Sequence, residues 1–228
     1  STFRKRKLVG GDSAEYYYGV WLKHLTMLYE NGMRSVPDSI VELGPGNSLG
    51  VRLAALLSGA HNYIAFDVVA YSDVHLNLRI FERLVQLFKQ RSGRPIKGWP
   101  DFDPFLDANL FPSHILTNDV LETSLVPERI EAIGRAISNM GTRQNGICIK
   151  YVAPWDDVDV ILKESVDLII SHSVLEHVND LQSTYETCSL LLRSKGFMSH
   201  QIDFRSHGTA EEWNGHWAIH ELLWKIIF

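Results

Sequence analysis

Apolar residues along the chain recur at two spacings, one typical of amphipathic helices and one typical of short buried strands. Helical spacing is found at residues 13–31, 49–57, 73–90, 128–139, 180–193 and 216–228. Short apolar runs occur at residues 39–43, 62–66, 146–152, 166–171 and 197–202. Strands that alternate with helices form βαβ units, and these units build parallel sheets. The pattern therefore predicts an α/β fold with a doubly wound, mainly parallel sheet and helices on both faces.

Residues 91–127 interrupt this alternation. The segment contains five prolines and two glycines, and irregular stretches of this length inside a domain are uncommon and often functional. It also contains Trp99, Phe102, Phe105 and Phe111, which suit either a cover over a pocket or a small packed cluster. We interpret 1–228 as a single domain, with an N-terminal helical segment at 12–32 and an inserted lid-like segment at 91–127.

Composition narrows the class of protein. Of the 228 residues, 45% are apolar and 21% are charged, and the formal net charge is −5. This balance does not favour nucleic acid as a partner, because phosphate binding usually needs a basic surplus. The basic run 4–7 is interpreted as a solvated arm. Two isolated cysteines suggest a reducing compartment, and no apolar run reaches the roughly 18 residues of a membrane span, so we expect a cytoplasmic protein without a membrane partner.

The first candidate for chemistry is the turn after the strand at 39–43. Gly44 and Gly46 fall where that strand leads into the helix at 49–57. Glycines at such a turn let a ligand approach the backbone closely, and the helix N-terminus offers free N–H groups. The pattern alone also fits a plain tight turn.

The second candidate is Asp67, which follows the next strand and lies 23 positions after Gly44. A carboxylate at this place accepts hydrogen bonds from the hydroxyls of a ribose. The alternative interpretation is a helix cap or a solvated turn residue. Together with the glycine turn, Asp67 favours a nucleotide-like ligand.

The glycine spacing does not fit the nicotinamide fingerprint G-x-G-x-x-G, since the third glycine, Gly50, comes one position late. The Glu42-x-Gly44-x-Gly46 pattern instead resembles the first motif of class I (Rossmann-like) S-adenosylmethionine-dependent methyltransferases. Residues 166–171 followed by Leu175-Glu176-His177-Val178 resemble the fourth strand of that family and the segment after it. Residues 191–197 resemble its step into the fifth strand, and the ordered matches cover about 39–203.

This resemblance implies S-adenosyl-L-methionine as the cofactor and a seven-stranded sheet, of which the C-terminal antiparallel strand pair has no counterpart after Phe204. Glu42 would organise the turn or the ammonium group, Asp67 would hold the ribose hydroxyls, and Val68 would contact adenine. Trp155 would either stack on the base or pack ordinarily. The cofactor-binding residues implied are Glu42, Gly44, Pro45, Gly46, Asp67, Val68, Ala153, Trp155, Ser171 and His172.

The methyl acceptor is not identified by the sequence, and a small molecule, such as a saccharide or another metabolite, is preferred. Ligands of such sheets bind at the carboxyl ends of strands, so His177, His200 and Asp203 are the candidate bases or acceptor-orienting residues. No metal site is predicted, because the histidines lack a familiar ligand spacing. Two alternatives stay open: a nicotinamide-dependent oxidoreductase, for which no Tyr-x-x-x-Lys pair is found on the expected helix, and a non-catalytic nucleotide-binding module of the same fold.

Overall fold

A computed structural model describes residues 13–69, 73–93, 110–155, 161–206 and 208–227. The α-helices are α1 (Ala14–Glu30), α2 (Gly50–Leu57), α3 (Val74–Lys89), α4 (Asn118–Ser124), α5 (Pro127–Ser138), α6 (Leu181–Leu191) and α7 (Glu221–Ile227). The strands are β1 (Ser39–Leu43), β2 (Asn62–Phe66), β3 (Cys148–Val152), β4 (Val166–His172) and β5 (Leu192–Gln201). Short 3₁₀ turns are found at Leu175–His177 and Gly215–Ala218.

The strands form one five-stranded sheet in the order β3-β2-β1-β4-β5, and every neighbouring pair is parallel. Leu43, the last residue of β1, is paired with Phe66 of β2 on one side and with Ser171 of β4 on the other. The strand order reverses direction between β1 and β4. This point is the topological switch point, outside which ligands of open α/β sheets bind.

Helices cover both faces of the sheet. The larger apolar cluster joins α1, α2, α3 and α5 to side chains such as Ile40, Leu168 and Ile170. A smaller cluster on the other face joins Cys188 and Leu191 of α6 to Val41 and Ile169. Alternation of inward-facing residues along each strand accounts for the two sets. The prediction of a doubly wound, parallel α/β fold is therefore confirmed, with five strands among the described residues rather than the seven implied by the resemblance.

The segment 91–127 contains a helix that the sequence pattern did not predict. Thr117 caps α4 by accepting a hydrogen bond from the backbone N–H of Val120 at 3.4 Å, and Leu121 is buried. Leu116 just before it is also fully buried in the larger cluster. Ile115, Leu116 and Leu121 thus belong to the core, whereas Trp99, Phe102 and Phe105 lie outside the described residues.

The step into β5 differs from the expectation of a helix to residue 193 and a strand from 197. Helix α6 ends at Leu191, and Leu192 already pairs with Val166, whereas Phe197 pairs with Leu168. Residues 193–196 of β5 thus lie opposite the single residue 167 of β4 and interrupt the regular pairing. They include Lys195, whose φ is +65°. Residues 194–196, which separate the predicted helix from the predicted strand, therefore form a bulge within β5.

Two further elements bear on the predictions for the ends of the chain. The predicted helix at 216–228 is divided into the 3₁₀ turn at Gly215–Ala218 and α7. Among the described residues, no helix combines the length and the hydrophobicity that a membrane crossing requires.

Candidate functional site

A cavity of about 570 Å³ opens at the switch point, beside the carboxyl ends of β1 and β2. This volume lies in the range of small-molecule and cofactor sites. One side of the cavity is formed by the residues that end β1 and β2 and by a residue after β3: Leu43, Gly44, Gly46, Phe66, Asp67, Val68 and Trp155. The other side is formed by residues after β4 and at the start of α6: Ser173, Val174, His177, Val178, Asn179, Asp180, Ser183 and Thr184.

The glycine turn and Asp67 are in direct contact. The backbone N–H of Gly46 donates to Oδ2 of Asp67 at 3.0 Å, and the N–H of Val68 donates to Oδ1 at 2.7 Å. The backbone of Gly44 also donates to the carbonyl of Phe66 at 2.8 Å. Because β1 and β2 pair in register up to Leu43 and Phe66, the two segments that follow them emerge side by side. The sequence predicted both elements, and the fold joins them at one site.

Both glycines have a left-handed backbone, with φ of +62° at Gly44 and +69° at Gly46. They differ in their surroundings. A Cβ on Gly44 would lie 2.7 Å from a methyl group of Val174, whereas a Cβ on Gly46 would meet no atom within 4 Å. Gly44 thus allows close packing across the cavity floor, and Gly46 exposes bare backbone next to open space.

Apolar side chains form a wall beside Asp67. Phe66 is buried, Val68 is 66% exposed, and Trp155 is half-buried. Trp155 lines the cavity and also packs against the smaller apolar cluster. Val68 and Trp155 both border the cavity and so offer apolar surface to a ligand.

Glu42 lies beneath the glycine turn and does not line the cavity. Its carboxylate is 3.5 Å from Nη2 of Arg52 on α2 and accepts a hydrogen bond from the hydroxyl of Tyr63 at 3.4 Å. Arg52 is completely buried. Burial is the largest influence on Glu42 and raises its pKa to about 7, although Arg52 acts in the opposite direction. Burial also lowers the pKa of Arg52.

Ser171 and His172, predicted together as neighbours of the cofactor, point to opposite faces because they are consecutive in β4. The hydroxyl of Ser171 is 2.8 Å from Nδ1 of His200, its partner in the register. His172 instead packs edge-on against Tyr16 and His24 of α1. Neither residue lines the cavity.

Burial lowers the pKa of His24, His172 and His200, which lie near the carboxyl ends of β4 and β5. The pKa of His172 falls to about 3, mainly by burial with a further contribution from Lys23. His24 and His200 shift in the same direction, again mainly by burial. These imidazoles are therefore neutral near pH 7 and act as hydrogen-bonding groups.

The three candidate bases occupy different environments. His177 is exposed and lines the cavity. His200 is hydrogen-bonded to Ser171 and makes an edge-on contact with Tyr185 of α6. Asp203 is buried in a bidentate pair with Arg205, with a shortest distance of 2.6 Å. Of these three residues, His177 alone borders the cavity.

Among the predicted cofactor residues, Gly44, Gly46, Asp67, Val68 and Trp155 line the cavity. Pro45 lies between two lining residues in the chain, and Ala153 lies two positions before Trp155, but neither lines the cavity itself. The polar residues of the α6 side were not predicted; their position at the helix start after β4 was the available signal. Arg52 and Tyr151 were also missed, since only the fold brings them beneath the site. Among the described residues, no group of three His, Cys, Asp or Glu side chains is arranged to hold a metal ion.

Comparison of the sequence with protein-family models and with curated proteins found no match. The fold and the site define an α/β protein with a cavity at the switch point of its sheet.

Proposed function

We propose that this protein is an S-adenosylmethionine-dependent methyltransferase that acts on a small-molecule acceptor. The observation that carries the proposal is the hydrogen bond of 3.0 Å between the Gly46 N–H and the Asp67 carboxylate, at the edge of a cavity of about 570 Å³. The closeness of the glycine backbone and the acidic side chain supports contact of both with one ligand. The Glu42-x-Gly44-x-Gly46 pattern and the ordered motifs after it support the methyl donor over a dinucleotide.

The residues present fit an adenosyl group. Bare backbone at Gly46 faces open space, Asp67 supplies carboxylate acceptors for ribose hydroxyls, and Val68 and Trp155 supply apolar surfaces for adenine. Bound S-adenosylmethionine would supply a methyl group activated by a sulfonium. The contribution of the chain is then to hold donor and acceptor together and to exclude water.

The acceptor is assigned to the α6 side of the cavity. The residues that line this side include Ser173, Asn179, Asp180, Ser183 and Thr184, whereas the opposite side is mostly apolar beyond Asp67. Side-chain hydroxyls, an amide and a carboxylate match a hydroxyl-bearing acceptor. This supports a saccharide or another polar metabolite.

His177 is the preferred base among the three candidates, because it lines the cavity and is exposed. A neutral imidazole nitrogen at this position would accept the proton that the acceptor hydroxyl or amine releases as the methyl group passes to it from the sulfonium sulfur. Asp203 is less suited, since Arg205 already occupies both of its carboxylate oxygens.

Titration calorimetry with S-adenosylhomocysteine and with NAD separates the proposal from its alternatives. We expect binding of S-adenosylhomocysteine and none of NAD. Tight binding of NAD alone would favour the oxidoreductase, and binding of neither would favour a non-catalytic module. Either result contradicts the proposed donor.

The Asp67→Ala variant tests the ribose contact. We expect its Kd for S-adenosylhomocysteine to rise about tenfold or more, because charge-assisted hydrogen bonds to the ribose are lost. Asp38→Ala is the matched control: this carboxylate lies before β1 at the opposite edge and contacts His61 and Asn62. An unchanged affinity in Asp67→Ala, with the fold verified by circular dichroism, would refute the site.

We also propose a cytoplasmic location. Cys148 and Cys188 are both free thiols, which is the usual state in a reducing compartment. Fractionation of cells that produce the protein tests this assignment, and recovery from a secreted or membrane fraction would contradict it.

A further inference from the structure

The hydroxyl of Tyr151 on β3 lies among the three segments that form the ribose end of the cavity. It is 3.2 Å from Oδ2 of Asp67, 3.2 Å from the carbonyl oxygen of Val69 and 3.4 Å from the carbonyl oxygen of Gly46. A phenol has one proton to donate. The carboxylate is the strongest acceptor of the three, because hydrogen bonds to charged groups are stronger.

The buried guanidinium of Arg52, on α2, packs over the ring of Tyr151. The guanidinium carbon of Arg52 lies 5.9 Å from the centre of the Tyr151 ring and 4.9 Å from the centre of the Tyr63 ring. Tyr63 and Tyr151 lie on the same face of the sheet, since Tyr63 pairs with Ile149 and Tyr151 pairs with Ala65. Tyr151 does not line the cavity, so its influence on a ligand passes through Asp67.

We propose that Tyr151 is a positioning residue, which holds the Asp67 carboxylate and the glycine turn in the geometry that receives the ribose of the ligand. This inference rests on the proposed function. A carboxylate offers about four acceptor positions, and Gly46, Val68 and Tyr151 use three of them. One acceptor position, on Oδ1, is left for a ribose hydroxyl. Tyr151 is the side-chain anchor among these three donors, and it orients the oxygen that also binds the glycine turn.

Tyr151→Phe and Tyr63→Phe form a matched pair for the test. Each removes one hydroxyl from a tyrosine packed on Arg52, but the Tyr63 hydroxyl contacts Glu42 and not Asp67. We expect Tyr151→Phe to raise the Kd for S-adenosylhomocysteine about fivefold or more, as for a weakened hydrogen bond to a charged group. Tyr63→Phe should change it less than about twofold. Equal losses in both variants would overturn the inference.

A double-mutant cycle identifies the route of the effect. In an Asp67→Ala background, Tyr151→Phe should cause no further loss of affinity, because its target is gone. If the affected contact is the 2′-hydroxyl, Tyr151→Phe should likewise cause no loss of affinity for the 2′-deoxyribose analogue of S-adenosylhomocysteine. An undiminished loss in the Asp67→Ala background would overturn the inference.

A measurement without ligand separates this inference from the proposed function. The amide of Gly46 donates to the oxygen that Tyr151 anchors, so its hydrogen exchange should be faster in Tyr151→Phe than in Tyr63→Phe. If the wild-type chain binds no S-adenosylhomocysteine, the proposed function fails, yet this comparison still tests the positioning of the turn. Unchanged exchange at Gly46 in Tyr151→Phe would overturn the inference.

Discussion

Glu42 and Asp67 are carboxylates at the ends of neighbouring strands, and their surroundings give them different tasks. Asp67 accepts two backbone N–H bonds at the cavity edge. Glu42 is enclosed with Arg52 and Tyr63 under the turn. A buried ion pair gains little net stability, because both charges lose their hydration. Glu42 is therefore suited to fixing the strand end rather than to touching a ligand.

The pKa of Glu42 predicts how stability depends on pH. Burial raises this pKa from 4.5 to about 7, so the folded chain binds more protons than the unfolded chain between these values. The free energy of unfolding then falls as pH rises from about 4.5 to 7 and is level above. The change is on the order of 3 kcal/mol. Glu42→Gln, which imitates the protonated side chain, should remove this slope in urea unfolding measured from pH 5 to 8.

The exposed pair of Glu131 and Arg135 supplies the control. Glu131→Gln makes the same chemical change on the surface of α5 and should keep the slope of the wild type. A slope that persists in Glu42→Gln would assign it to other groups.

At the residue scale, the sequence was sufficient where the signal is local. Gly44, Gly46 and Asp67 were predicted because a strand end followed by glycine or by a carboxylate is readable within a few positions. The orientation of His200 was not predicted, because it depends on the register of β5 with Ser171, which lies 29 positions earlier. Arg52 is a long cation in an apolar helix, and its complete burial follows only from the positions of Glu42 and two tyrosine rings.

At the scale of elements, the contact between α1 and α2 depends on a helical glycine. Gly50 begins α2, and a Cβ there would lie 2.1 Å from ring atoms of Tyr17 on α1 and 2.7 Å from its Cβ. These distances involve the root of the side chain as well as the ring, so a change of rotamer alone does not relieve them. Helix packing thus explains Gly50, the third glycine counted from Gly44.

Gly50→Ala should lower the free energy of unfolding by about 1–3 kcal/mol, as expected for overpacking. Gly134→Ala in α5 is the matched control, because its Cβ would lie 3.9 Å from Phe81, an ordinary contact. That variant should gain up to about 1 kcal/mol from helix propensity. Urea unfolding of both variants provides the measurement, and equal effects in the two would contradict the packing role of Gly50.

The elements that the sequence missed are short or irregular. Helix α4 has seven residues, which is too short for a helical period to stand out among the prolines around it. Its signals were the Thr117 cap and the buried Leu121. The bulge at Lys195 arises from the way β5 pairs with β4. The sequence of β5 alone does not show this register.

At the scale of the whole molecule, the alternation of strands and helices was enough to predict the architecture. Parallel pairing requires crossovers, and the spacing of the apolar runs left room for them. The composition of the cavity was only partly predictable. Its β1–β2 side follows from motifs, whereas its α6 side follows from the strand order β3-β2-β1-β4-β5, which brings β4 next to β1.

The position of the cavity between β1 and β4 has a mechanical consequence. Its two walls are attached to opposite halves of the sheet, so a molecule seated there bridges the seam between a motif-bearing half and a half that carries His177 and Asp180. A ligand there would contact residues of both halves at once, so its binding would link the loops that follow β1 and β4.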